Sequence, residues 1–207
     1  YMVTEWGATG HWEVPKTSWD VAIEENSTVK AANYLKRYQT AIASDTMQCL
    51  GSYVFLWGQK QERTPTWYGV FLEDGRETES VDVMHYIWNN KWPENRTPAI
   101  ESYTINDKTA YQNVIVEPEK EMTALIKVKD YENDAISYSW ELLFESTDLK
   151  DGGDRESRPD AVDIKEISSQ NGELKFKAPK KGKYRLFVYA DDGFGHAATA
   201  NIPFMVK

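Results

Sequence analysis

Past residue 98 the chain alternates, and that pattern restricts its fold more than composition does. Met122, Ala124, Ile126 and Val128 recur at every second position, and so do Ile136, Tyr138, Trp140 and Leu142. Tyr184, Leu186, Val188 and Ala190 make a third set; Ala198, Ala200, Ile202, Phe204 and Val206 make a fourth. Side chains two apart share one face of a strand, so each set predicts a strand with one buried face. Shorter candidates are Ser102–Ile105, Val114–Val116 and Leu174–Phe176. Together they predict about seven strands in about 110 residues, the pattern of an immunoglobulin-like sandwich. Cys49 is the only cysteine, so the sandwich would do without a disulfide. Phe187 and Tyr189 fall out of phase with Leu186 and Val188, so they predict an outer face that packs on another part of the chain or forms a platform. The charged segment from Glu145 to Asn171 is poor in apolar residues and predicts a protruding or mobile loop.

The first ninety-odd residues read differently. Tyr1-Met2-Val3-Thr4-Glu5-Trp6-Gly7 predicts a strand that delivers a carboxylate and an indole to its carboxyl end. A loop rich in Gly, Pro and hydroxyl residues follows, holding His11, Trp12 and Trp19. Asn26, Ser27 and Thr28 are cap candidates for a helix with Ala31, Leu35, Tyr38 and Ile42 on one face and Lys30, Asn33, Lys36 and Arg37 on the other. Residues 49–58 form a near-continuous apolar run, the pattern of a parallel strand covered on both sides. A polar and aromatic loop with Gln59, Trp67 and Tyr68 follows, then a helix from Ser80 that Trp92-Pro93 stops. The order strand, helix, strand, helix predicts two βα units of a parallel sheet. Pro93–Pro98 reads as a linker. The predicted organisation is an α/β part over 1–92, a linker over 93–98 and the sandwich over 99–207.

Charge and composition narrow the partners. A net charge of −9 argues against nucleic acid and anionic membranes. No apolar run reaches the roughly 18 residues of a membrane span. Trp 8, Tyr 12 and Phe 7 supply rings on which the C–H faces of neutral sugars can pack. The chain starts inside a predicted strand without a leading Met, which predicts a piece of a longer protein.

Thr4-Glu5-Trp6-Gly7, with Leu50-Gly51-Ser52-Tyr53-Val54-Phe55-Leu56-Trp57 some forty-five residues later, resembles the last two barrel strands of retaining glycoside hydrolases. The family 2 and family 5 type barrels and the β-glucanosyltransferase-like proteins are the nearest in pattern. The resemblance covers residues 1 to about 92 and implies a partial (β/α)8 barrel, consisting of its last two βα units. It implies Glu5 as the nucleophile and Trp57 as the ring flooring the sugar site, at one pole with Glu5. Trp6, His11, Trp12, Gln59, Trp67 and Tyr68 are then candidate substrate contacts. The Asn-Glu pair that carries the acid/base in such enzymes has no counterpart here, so the chain alone is expected not to hydrolyse glycosides. The remaining residues resemble the PKD or cadherin-like modules appended to secreted polysaccharide-degrading enzymes of bacteria. The implied partners are a β-glucan or related polysaccharide and upstream barrel residues of the same parent chain. The implied location is secreted, periplasmic or at the cell surface. A non-catalytic carbohydrate-binding or spacer module is the alternative.

No cofactor is expected. Asp130, Asp134 and Asp191 leave a cadherin-like calcium site open beside the simpler reading of an acidic turn. His11, His85 and His196 lack metal-ligand spacing. Asp191-Asp192-Gly193-Phe194-Gly195 joins two predicted strands, so it is not a phosphate loop.

Overall fold

The alternating sets become strands whose apolar faces meet. In the computed structural model, which describes residues 1–150 and 153–207, two four-stranded sheets pack face to face. One has the order β5 (Ala99–Ile105), β7 (Glu121–Lys129), β10 (Glu173–Lys177), β9 (Lys165–Gln170). The other has the order β6 (Val114–Val116), β12 (Ala197–Val206), β11 (Gly182–Asp191), β8 (Ser137–Phe144). Pairing is antiparallel throughout except between β6 and β12. Met122, Ala124, Ile126, Leu174 and Phe176 from one sheet share a core with Leu186, Val188, Ile202 and Phe204 from the other. Fully burying a side chain of this size contributes roughly 1.5–3 kcal/mol, so this shared face dominates the fold's stability.

The sheet's other face is also covered. Phe187 is buried, as is Arg185, whose guanidinium donates to the Ala22 carbonyl at 3.0 Å and to Glu145. The Thr199 N–H donates to the Ser27 hydroxyl at 3.0 Å. Phe187 and Tyr189 therefore belong to a packing face, with the Tyr189 hydroxyl bonded to Glu141.

Residues 1–92 correct the barrel expectation. β1 (Val3–Gly7) and β2 (Ser52–Phe55) do pair in parallel, with α1 (Ser27–Arg37) between them in sequence. That sheet stops at two strands. The segment expected to be a second strand-end loop instead forms an antiparallel hairpin, β3 (Gln59–Glu62) and β4 (Thr64–Gly69), before α2 (Glu79–Asn89). Two α-helices stand against twelve strands among the described residues, so the chain is mainly β and not a partial (β/α)8 barrel. The physical reason lies in the apolar run. Leu50 is 82% exposed and Tyr53 61%, so the run is not covered on both faces, and only Ser52–Phe55 is extended. Thr64, Thr66, Trp67 and Tyr68, β-branched or aromatic, take strand geometry instead.

Local chemistry sets the helix ends. The Asn26 side chain accepts from the Val29 N–H at 2.9 Å and caps α1, and Lys36 and Arg37 sit favourably at its C-terminal end. Asn90, in left-handed geometry, ends α2. Lys30 was expected on the solvent face of α1, yet it is 6% exposed, because Glu24 pairs with it inside. Nor does Glu145–Asn171 protrude as expected. The Phe144 N–H donates to the Asp160 carbonyl, the Val162 N–H to Leu142, and Glu156 is buried. Asp151 and Gly152 of that segment lie outside the described residues. No helix among the described residues is long and apolar enough to cross a membrane.

Candidate functional site

The end of β1, the loop after it and the β3–β4 hairpin converge on a cleft of about 510 Å³. That volume lies within the range of small-molecule sites. Gly7 makes the convergence possible, since a Cβ there would lie 2.0 Å from the Phe55 carbonyl oxygen on β2. The loop is pinned from below. Trp67, 1% exposed, donates its indole N–H to the Thr9 carbonyl at 3.0 Å. Arg37 donates to the Gly7 carbonyl and, at 3.0 Å, to the Thr9 hydroxyl. The Gly10 N–H donates to the Glu13 carboxylate at 2.9 Å.

His11 is the hub. Its backbone N–H donates to the Tyr68 hydroxyl at 3.3 Å, and its Nε2 lies 3.3 Å from Glu62 Oε1. Lys60 Nζ holds the other Glu62 oxygen at 2.6 Å. Burial holds the His11 pKa below the usual histidine value, and the nearby Arg63 guanidinium pushes the same way, against Glu62. Burial raises the Tyr68 phenol to about 12, so it stays a donor at neutral pH. Trp12 meets the His11 ring edge-on at 4.9 Å and remains 71% exposed. The cleft thus offers a bare indole, a phenol, an imidazole and an ammonium beside three carboxylates, Glu5, Glu13 and Glu62. The excess of carboxylate disfavours anionic ligands.

The structure sorts the sequence-predicted contacts. Glu5, Trp6, His11, Trp12 and Tyr68 line this cleft. No hydrogen bond or ion pair among the described residues holds the Glu5 carboxylate, which is exposed. Trp6 packs on Tyr34 and Tyr38 at 5.7 and 5.8 Å. Trp67 braces the loop from beneath. Gln59 lines an adjacent cleft of about 700 Å³ and donates to the Pro65 carbonyl. Trp57, expected beside Glu5, instead packs on Phe71 and Trp88 at 5.2 and 5.3 Å and does not line the cleft. Sequence reasoning missed Glu13, Lys60 and Glu62. The alternation of charge in Lys60-Gln61-Glu62 on a hairpin strand would have put Lys60 and Glu62 on one face.

Asp130, Glu132 and Asp134 bring carboxylate oxygens within 4.8 Å of one another. Asp130 accepts from the Glu132 and Asp134 N–H groups at 3.0 and 2.7 Å, the geometry of a turn that binds its own backbone. Asp191 is elsewhere, paired with Arg76 at 2.8 Å.

The chain matches no protein-family model, and no curated protein matches it in sequence. Among solved structures it is similar to PcoC, a copper resistance protein from Escherichia coli. That similarity has 16% identity and a TM-score of 0.31, and covers 56% of this chain and all of PcoC. It is too slight to carry an inference about function. The expectation that the chain is part of a glycoside hydrolase is corrected: the barrel it required is absent from the described fold and no protein-family model matches, and Trp57 does not line the cleft that Glu5 lines.

Proposed function

We propose that the chain binds a neutral carbohydrate, such as a β-glucan, in the cleft between the loop after β1 and the β3–β4 hairpin. The observation that carries this reading is Trp12, a bare ring set edge-on to His11, whose partners Glu62 and Tyr68 supply an acceptor and a donor. Sugar C–H faces pack on indoles, and hydroxyls exchange hydrogen bonds with carboxylate, phenol and ammonium groups. The carboxylate excess disfavours phosphorylated or acidic sugars relative to neutral ones. The reading is one of binding, with no bond cleaved.

Affinity electrophoresis of the full chain through gels containing neutral polysaccharides tests it. Retardation is expected for the wild type and its loss for Trp12→Ala. Equal mobility of the wild type with and without every polysaccharide would remove the proposal.

A further inference from the structure

One buried acid belongs to neither the core nor the cleft. Glu156 comes from the segment after β8, and its side chain is fully buried. Its Oε2 accepts the Arg63 backbone N–H at 2.5 Å. Its Oε1 accepts from Arg63 Nη1 at 2.7 Å and from the Lys150 N–H at 3.0 Å. Arg63 Nη2 in turn donates to the Lys150 carbonyl at 3.2 Å. The two residues are 93 apart in sequence, so this clasp ties the sandwich's long loop to the β3–β4 turn.

The clasp sits where the cleft is decided. Arg63 occupies the turn with φ 61°, a left-handed geometry uncommon for a non-glycine residue. The Glu156 carboxylate over-determines that geometry by binding both the backbone N–H and the guanidinium. Glu62, one residue before, faces His11, and Thr64, one residue after, bonds the buried Glu24 carboxylate at 2.6 Å. A rotation of the turn would therefore move Glu62 relative to His11. Three residues before Glu156, Gly153 supplies a wall of the cleft, and a Cβ there would lie 3.3 Å from Lys60 Nζ. Both sides of the cleft thus depend on one carboxylate that touches neither.

We propose that Glu156 is a positioning residue for the cleft: it fixes the Arg63 turn, and through it the Glu62–His11 pair and the Gly153 wall, so that the sandwich helps shape the ligand site of residues 1–92. The affinity half of this proposal rests on the carbohydrate reading; the geometric half does not.

The test uses the full chain with Glu156→Gln, which keeps the volume and removes the charge, and Arg63→Met, which acts from the other side of the clasp. Proton NMR follows the titration of His11, and calorimetry follows binding of a neutral oligosaccharide. The two charges also act on His11 directly, so charge removal alone would move its titration down in Glu156→Gln and up in Arg63→Met; a turn that loosens lets water reach the imidazole in both, and the titration is expected to move up in both. Affinity is expected to fall roughly ten- to hundred-fold, the size seen when a supporting contact is lost. A folded Glu156→Gln variant whose His11 titration stays put or moves down overturns the proposal, even if its melting temperature drops, because loss of the Glu156 charge without movement of the turn can only lower the His11 value. A wild type that binds no sugar while His11 still responds to Glu156 would sink the carbohydrate reading and leave the positioning role standing.

Discussion

Lys30 Nζ lies 2.5 Å from Glu24 Oε1, with both side chains nearly withdrawn from solvent. The pair joins α1 to both the hairpin and the sandwich. Lys30 also donates to the Thr66 carbonyl at 2.6 Å, and Glu24 accepts from Thr64, Thr66 and Asn201 at 2.6, 2.9 and 2.6 Å. Burial pushes the Glu24 carboxyl up, but Lys30, the Thr64 hydroxyl and Arg185 outweigh it and hold its pKa below the usual range. Lys30→Met strands that carboxylate without its cation. The expected loss is about 3–5 kcal/mol, read by urea unfolding. Adding Glu24→Gln should restore much of it. Simple additivity of the two losses would show that the residues are not coupled.

Acid should stabilise the fold through α2. Burial raises Glu79 to about 7, against the Thr28 hydroxyl and Arg96, and raises Asp82 to about 6, against the Thr97 N–H. A carboxyl whose folded pKa exceeds its unfolded value binds its proton more tightly when folded. Its penalty is absent below the unfolded value and grows as pH rises through the folded one. For Glu79 the rise from 4.5 to about 7 is worth on the order of 3 kcal/mol. Urea midpoints should therefore fall between pH 5 and 7.5. Glu79→Gln should raise stability at pH 8 and flatten that slope; an unchanged slope in the variant contradicts the assignment.

Gly7→Ala should disturb the β1–β2 pairing. Its Cβ would meet backbone, the Phe55 carbonyl oxygen, which cannot swing aside as a side chain would. The expected cost is about 1–3 kcal/mol or somewhat more. Hydrogen exchange should rise across residues 52–55, and exchange confined to wild-type rates would refute the close approach.

Much of this fold was legible, and the misses share a cause. The alternation at Met122–Ile126 and Tyr184–Ala190 reports directly on a buried sheet face, so those strands could be read without knowing their partners. Period says nothing about what covers a face. The run at 49–58 is apolar in composition, but Leu50 and Tyr53 are largely exposed and Trp57 half exposed, so composition alone points wrongly to an enclosed barrel strand. The hairpin at 59–69 hid behind its glycine, proline and charges. Lys30 and Glu156 are charged residues whose burial depends on partners 6 and 93 positions away, and no local pattern announces such pairing. Within the cleft, Glu5, His11, Trp12 and Tyr68 stood out by residue type. Glu62 emerged only when the hairpin brought it 3.3 Å from His11.

Trp12 should be separable from all of this. With 71% of its surface exposed, its loss removes little buried area. Trp12→Ala should leave the melting temperature within about 1–2 °C of wild type, since exposed substitutions rarely exceed about 0.5 kcal/mol. A large drop would mean that the ring is a structural prop.

Calorimetric titration of the 207-residue chain with a series of neutral β-linked oligosaccharides bears most directly on the cleft's role. Saturable heat with the wild type, weakened at least roughly ten-fold in Trp12→Ala, is the predicted result. Flat titrations for every neutral sugar, or binding that is indifferent to Trp12, would contradict it.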